Sequence, residues 1–302
     1  MEVALKLKNV TKRFGNVEAV KELSFTVPKG VVYGFLGPNG SGKTTTFRMI
    51  MSIFYPDEGD VYVLGNENPE KAKNDIGYLP EERGLYKSMK VIEVLSYFGM
   101  LKGLPSWEAK KRAEDLLERF GLGEWKKKKC EALSKGMGQK VQLLCVLIHE
   151  PQLMLLDEPF SGLDPVNMEV MRDAILSMKN EGKTVVFSTH VMAQAEEICD
   201  YILLINKGKK LLDGPLGEVK RSGEKAIHID YDGDGSIFYK FAGIRRINDS
   251  GKSAEIILED GADPQEFLKF IVGKINIRKF DLSEPSLHEI FVRTVTKMEE
   301  RG

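Results

Sequence analysis

One octapeptide constrains this chain more than any other feature. Gly37-Pro38-Asn39-Gly40-Ser41-Gly42-Lys43-Thr44 satisfies the pattern G-x-x-x-x-G-K-[ST] in full. The apolar run 31–36 precedes it and a helical pattern follows from Thr45, which is the strand-then-helix setting the pattern requires. The glycines let the backbone curl so that successive N–H groups point inward as an anion nest. The start of the next helix adds positive potential. Lys43 brings a mobile cation to the β- and γ-phosphates of a nucleotide, and the Thr44 hydroxyl can bind Mg2+. A glycine-rich turn that binds nothing is the bland alternative, and the flanking strand and helix weigh against it.

A second strand end supplies acids. The apolar run 153–156 stops at Asp157-Glu158. Asp157 is placed to hold Mg2+, directly or through water, and Glu158 can orient and deprotonate an attacking water. Alone, the pair reads equally well as a solvated strand end; beside the glycine loop the chemical reading is preferred.

The rest of the pattern indicates how these segments come together. Val3, Leu5 and Leu7 alternate as in a half-buried strand, and so do Leu23, Phe25 and Val27, before the turn Pro28-Lys29-Gly30. The run 31–36 suits a strand buried on both faces, as do 153–156, 184–187 and 201–205. Helical patterns at 45–53, 138–149, 167–180 and 193–198 alternate with them, which implies a parallel sheet with crossover helices. Polar residues at the strand ends then share one crevice. Between about 82 and 129 the chain is charged and helical, with an amphipathic stretch at 108–120, and reads as an insertion. From 222 onward, strands at 225–231, 254–258 and 275–280 and helices at 264–272 and 286–298 read as a small α+β domain. Ser286-Leu287-His288-Glu289 forms a capping box for the last helix.

Composition removes several classes. The 302 residues suggest about two domains. No apolar run approaches the roughly 18 residues of a membrane-spanning helix. With 42% hydrophobic residues and a net charge of −1, the chain is neither disordered nor globally attracted to nucleic acid, so no nucleic-acid partner is expected. Cys130, Cys145 and Cys199 are odd in number and widely spaced, against a disulfide scaffold. The first residues lack a basic-then-apolar export signal, and the expected location is cytoplasmic.

Further motifs carry a family resemblance. Leu133-Ser134-Lys135-Gly136-Met137, followed by Gly138-Gln139, resembles the LSGGQ signature of ATP-binding cassette (ABC) proteins and lies about 20 residues ahead of Asp157. Ser161-Gly162-Leu163-Asp164 resembles the family's D-loop, and Ser188-Thr189-His190 its switch histidine. Phe14, before Gly15, stands where the family has an aromatic stacked on adenine. The resemblance spans about residues 3 to 215. It implies an α/β P-loop NTPase (ABC ATPase) fold: a mixed/parallel sheet core, N-terminal antiparallel strands and a helical subdomain at about 82–150. The ATP-binding domain would cover 1–221 and the C-terminal accessory α+β domain 222–302.

The resemblance also implies two cassettes sandwiching two ATP molecules with Mg2+. Each ATP lies between the loop 37–44, with Thr45, of one copy and the signature of the other. Ser134 reads locally as the cap of the helix 136–149, so that its hydroxyl and neighbouring N–H groups, with Gly136, form a second anion site. One glycine loop and one signature per chain require a second copy, as a homodimer, or a partner cassette. Glu158 would activate water, His190 would contact the γ-phosphate and hold the Glu158 geometry, and Asp164 would link the two sites across the interface.

There are departures from the family pattern. Glu81 stands where the Q-loop usually has glutamine, and as a carboxylate it joins Thr44 and Asp157 as a metal candidate. Lys135 and Met137 replace Gly and Gln, while Ser134 and Gly136 are kept. Phe14 lacks a hydroxyl, which stacking does not need. His149 reads as a helix-end residue.

Two classes follow. One is the ATP-hydrolysing subunit of a membrane transporter, peripheral on the inner face of the cell membrane and driving a separate integral membrane permease. The other is a soluble ABC-type ATPase acting on nucleic acid or ribosomes, whose usual coiled coils, zinc-binding cysteine pairs or tandem cassettes are not seen. The stretch 76–86, the LSKGM signature and the tail 285–291 resemble a bacterial and archaeal ABC-2 type exporter subfamily, which favours the transporter and export. Residues 81 to about 103 would then face the permease. Tyr86, Met89, Val91, Leu95, Tyr97 and Phe98 either build a groove for its helix or, the preferred reading for most of them, pack the insertion's own core. The lysines 126–129 either face anionic lipid or form a solvated loop.

Overall fold

The computed structural model describes residues 2–82, 84–221, 226–259 and 261–299, with side chains up to residue 296. The chain divides into two compact units, Met1–Pro215 and Leu216–Gly302. The sequence boundary at 221/222 adjoins residues 222–225, which lie outside the described residues, as do Arg83 and the expected strand start at Lys225.

The first unit runs β1 (Val3–Phe14), β2 (Val17–Pro28), β3 (Val32–Leu36), α1 (Lys43–Ile50), β4 (Glu58–Val63) and β5 (Ile76–Leu79). Then come α2 (Val91–Leu101), α3 (Ser106–Arg119) and α4 (Lys135–Leu147), followed by β6 (Leu153–Asp157), α5 (Pro165–Asn180), β7 (Thr184–Thr189), α6 (Met192–Ile198), β8 (Tyr201–Asn206) and β9 (Lys209–Pro215).

β1 and β2 form an antiparallel hairpin that is longer than the alternating segments suggested, and β4 pairs with the other side of β1. Bulges interrupt the register of β1, which is why simple alternation fades after Leu7. The second sheet has the order β5-β6-β7-β3-β8-β9; all neighbours are parallel except β8 and β9. β3 lies between β7 and β8 and is buried at all five residues, which accounts for its unbroken apolar run. Aromatic rings tie the layers together: Phe25 stacks on Tyr33 and Phe35, at 5.9 and 5.7 Å, and Phe35 stacks on Phe47 of α1 at 5.7 Å.

The helical stretch has a core of its own, with Val91, Val94 and Leu95 packed against Ala113, Leu117, Val141 and Leu144. Val91 and Leu95 are therefore interior and leave the proposed groove. The basic tract caps α2, because the Lys126 and Lys128 carbonyls accept from the Ile92 and Val91 N–H groups at 3.1 and 3.0 Å.

The second unit contains α7 (Leu216–Arg221), β10 (Ala226–Asp232), β11 (Ile244–Asp249), β12 (Ser253–Leu258), α8 (Pro264–Ile271), β13 (Asn276–Ser283) and α9 (Leu287–Glu299). Its antiparallel sheet has the order β11-β12-β10-β13, and Ile227, Ile229, Tyr231 and Ile256 pack on Phe238, Phe267 and Ile271. The capping box forms: Ser286 Oγ accepts from Glu289 N–H at 3.2 Å, and Glu289 Oε2 accepts from Ser286 N–H at 2.7 Å.

At the end of α4, His149 Nε2 lies 3.2 Å from the Ile76 carbonyl, which also accepts from Lys102 Nζ at 3.1 Å. Burial, then the neighbouring Lys102 charge, push the imidazole down to about 4 from its ordinary 6.5. The unfolded chain thus binds the proton more readily, so His149 makes the native state lose stability as pH falls from about 6.5 to about 4. His149→Gln is expected to flatten that limb; denaturant midpoints at pH 7 and pH 4.5 read the difference.

Candidate functional site

Parallel pairing gathers the functional strand ends. Leu36 pairs with Thr189, Asp157 with Ser188 and Leu79 with Leu156. The chain therefore leaves β3 into Gly37, β6 into Glu158, β7 into His190 and β5 into Pro80-Glu81 at one edge of the sheet.

The loop after β3 is shaped by its glycines. Gly42 caps α1 at φ 107, and a Cβ there would lie 2.6 Å from the Ala19 carbonyl oxygen. A Cβ at Gly37 would collide with the Ile205 carbonyl oxygen. Lys43 is buried. Its Nζ donates to the Gly37 and Pro38 carbonyls at 2.8 and 3.2 Å and makes an ion pair with Glu158 Oε1 at 3.3 Å. Ser41 is buried, with an unpartnered hydroxyl. Asn39, Gly40, Gly42, Lys43, Thr44 and Thr45 line a cavity of about 350 Å³ together with Ala19, Glu81 and Glu158.

The acids sit beside that cavity. Asp157 Oδ1 accepts from Ser188 Oγ at 2.5 Å, and Ser188 Oγ accepts from Glu158 N–H at 3.0 Å. One hydroxyl thus orients both acids. Glu158 has φ 49, a left-handed conformation that costs a non-glycine residue about 1–2 kcal/mol. Its Oε2 lies 3.1 Å from His190 Nδ1. Asp157 Oδ2 is buried without a partner, the kind of acceptor that a cation or its water satisfies. Among the described residues no cluster of three or more His, Cys, Asp or Glu can hold a metal alone. The orphaned Asp157 oxygen fits a cation that also takes oxygens from phosphate or water. Glu81, Asp157 and Glu158 also share an adjoining cleft with Gln139, whose amide donates to the Pro159 carbonyl.

The remaining residues lie outside this cavity. Ser134 caps α4, its Oγ accepting from Met137 N–H at 3.3 Å, and Gly136 lies in the first turn. Asp164 caps α5, and hydrogen bonds from the Asn167 N–H and side chain hold its carboxyl below the usual range. Phe14 is exposed and edge-on to Phe54, with ring centroids 5.3 Å apart. Sequence reasoning missed the bridging role of Ser188, the buried amide of Gln139 and the wall formed by Ala19. Ser188 carried a signal as a polar residue ending an apolar strand and Gln139 one by following the signature, whereas Ala19 carried none.

This fold and this loop define an α/β protein built to bind a phosphate-bearing ligand at the carboxyl edge of a sheet. Residues 20–161 match the family described as ABC transporter, and residues 214–295 match the ATP-binding protein DrrA1-3-like C-terminal domain. The ABC transporter ATP-binding protein YhaQ of Bacillus subtilis, described as uncharacterized, is 43% identical over 96% of this chain and 98% of its own length. The Nod factor export ATP-binding protein I of Sinorhizobium fredii is 33% identical over 97% of this chain and 86% of its own. A solved ATP-binding subunit of an ABC transporter superposes with a TM-score of 0.67 at 30% identity, covering 72% of this chain and 92% of that one. The chain belongs to the ATP-binding proteins of ABC transporters. It is an ATPase of that family, which hydrolyses ATP for transport, and this takes the transporter side of the two classes left by the sequence. Among the described residues no helix is long and apolar enough to cross a membrane.

Lys43→Ala is expected to weaken ATP binding about 10- to 100-fold, the value of a charge-assisted contact to phosphate, as read by direct nucleotide titration. Glu81→Gln is expected to raise the Mg2+ concentration needed for half-maximal turnover; an unchanged magnesium titration would remove Glu81 from the metal's surroundings.

Proposed function

We propose that two copies of this chain close around two Mg-ATP, each held between the glycine loop of one copy and the Ser134–Gly136 turn of the other. Opening and closing then drives a separate integral membrane permease in the export direction, from the inner face of the cell membrane. The observation that carries this reading is that one chain has two helix starts of this kind on different elements: Gly42 caps α1 beside Lys43, and Ser134 caps α4 with Gly136 in its first turn. Each chain thus offers two helix starts suited to anions, at different places.

In this reading Lys43 and the loop N–H groups hold the phosphates. Magnesium, when bound, neutralises phosphate charge and fixes the γ-phosphate; Thr44, Asp157 and Glu81 would hold it. Glu158 takes the proton of the attacking water, and its backbone is held for this by Ser188. His190, 3.1 Å from Glu158, steadies the carboxylate and contacts the γ-phosphate. Phe14 stacks on adenine, and Asp164 connects the two sites across the interface.

For the permease, a groove of about 370 Å³ lies beside Glu81, lined by Leu79, Pro80, Leu85, Phe98 and Leu101 among others. It suits the apolar face of a short helix. Tyr86 and Tyr97 meet Phe98 at its rim, with centroids 6.5 and 5.9 Å from that ring. Export is supported by the name of the Sinorhizobium relative.

Glu158→Gln is expected to bind ATP, to lose turnover about 10²-fold or more, and to form an ATP-dependent dimer detectable by light scattering. Ser134→Arg in that background is expected to remain monomeric. A Glu158→Gln protein that stays monomeric in saturating Mg-ATP would overturn the two-chain site.

A further inference from the structure

We infer that Asn167 is a positioning residue that locks the signature turn of a chain to its own Asp164 loop, so that the half-site offered to the second copy is set by the first turn of α5. The inference rests on the two-chain reading above and adds a residue to it.

The geometry starts at Asp164. Its Oδ1 accepts from Asn167 N–H at 3.0 Å, and its Oδ2 accepts from Asn167 Nδ2 at 2.5 Å. The backbone N–H anchors the carboxylate through one oxygen, and the other oxygen then holds the Asn167 side-chain amide. In that orientation its amide lies against Gly136. A Cβ at position 136 would collide with Nδ2 and would lie 2.8 Å from Cγ and 3.2 Å from Oδ1. Gly136 is not among the glycines with positive φ, so its backbone conformation does not demand glycine. Glycine inside a helix is otherwise unfavourable relative to alanine. What position 136 accommodates is the amide of Asn167. The signature's close approach and the Asp164 cap are thus two ends of one contact.

The same turn reaches the other half-site. Met168 Sδ lies 3.9 Å from Gln194 Nε2, and Gln194 Oε1 accepts from Thr189 Oγ1 at 3.0 Å, next to His190. Within one chain, side-chain contacts therefore run from the signature through α5 to Thr189, the residue between Ser188 and His190, which both contact Glu158. This is the kind of contiguous route through which coupling between sites is tested rather than assumed.

The test is a double-mutant cycle in the full chain. Asn167→Ala is expected to lower kcat about fivefold or more, with KM for ATP and nucleotide affinity changed less than about twofold. Gly136→Ala alone is expected to lower kcat at least as much. In the Asn167→Ala background it is expected to cost less than about twofold more, because the amide it would strike is gone. Asn167→Asp, which keeps the shape and the backbone donor but loses the side-chain donor, is expected to resemble Asn167→Ala; should Gly136→Ala fail to fold, Asn167→Asp and Asn167→Ala carry the test. The proposal is overturned if the Gly136→Ala and Asn167→Ala effects multiply, or if Asn167→Ala or Asn167→Asp turns over ATP like the parent. ATP-driven association in the Glu158→Gln background, measured alongside, separates the causes. Association with multiplying effects rejects the role of Asn167 alone, and absence of association rejects the two-chain reading and this inference with it.

Discussion

Everything at the site depends on the parallel register of four neighbouring strands. β5, β6, β7 and β3 end together, so segments more than a hundred residues apart in the chain emerge at one edge. A parallel sheet needs both faces covered, and the helices that cover it are the crossovers that carry the chain from one strand end to the next. The chemistry is thus placed by pairing that involves none of the chemical residues' side chains. Asp157 is an exception only in part: its strand neighbour Ser188 also supplies the hydroxyl that orients it.

The site holds charge where charge is expensive. Lys43, Asp157 and Glu158 are each nearly removed from water. A buried ion pair contributes little net stability, because desolvation offsets attraction. The left-handed backbone of Glu158 adds a further cost. Such terms are retained where a preorganised charge distribution serves a reaction, since fixed groups need no rearrangement as charge develops. The contrast with His149 is instructive. That group is also partly buried beside a cation, but it faces a backbone carbonyl just past the end of α4, and its lowered pKa bears on stability.

Local signals made much of the molecule legible. The glycine loop, the strand 31–36, the acids ending β6 and the capping box of α9 are each written in a few consecutive residues whose physics is local. Other elements were not. β4 buries only Val61 and Val63 in its six residues, β9 is an edge strand without a fully buried residue, and β11 loses its alternation to a bulge after Ile244. Val91 and Leu95 could be read as groove as well as core, because apolar periodicity marks a buried face without saying what buries it. Asn167 carried no signal at all; its meaning comes from Gly136, about 30 residues earlier in the chain.

From its own residues the chain declares a phosphate cradle, two acids at a strand end and a second anion-binding helix start, because hydrogen-bond capacity, charge and backbone freedom are properties of short segments. Which of these meet is a different kind of information. Strand order and register brought Lys43, Glu158 and His190 within hydrogen-bonding distance and left Ser134 and Gly136 elsewhere, and helix packing set Asn167 against Gly136. Those are long-range contacts, decided by how whole apolar faces cover one another, and no short stretch of sequence encodes them.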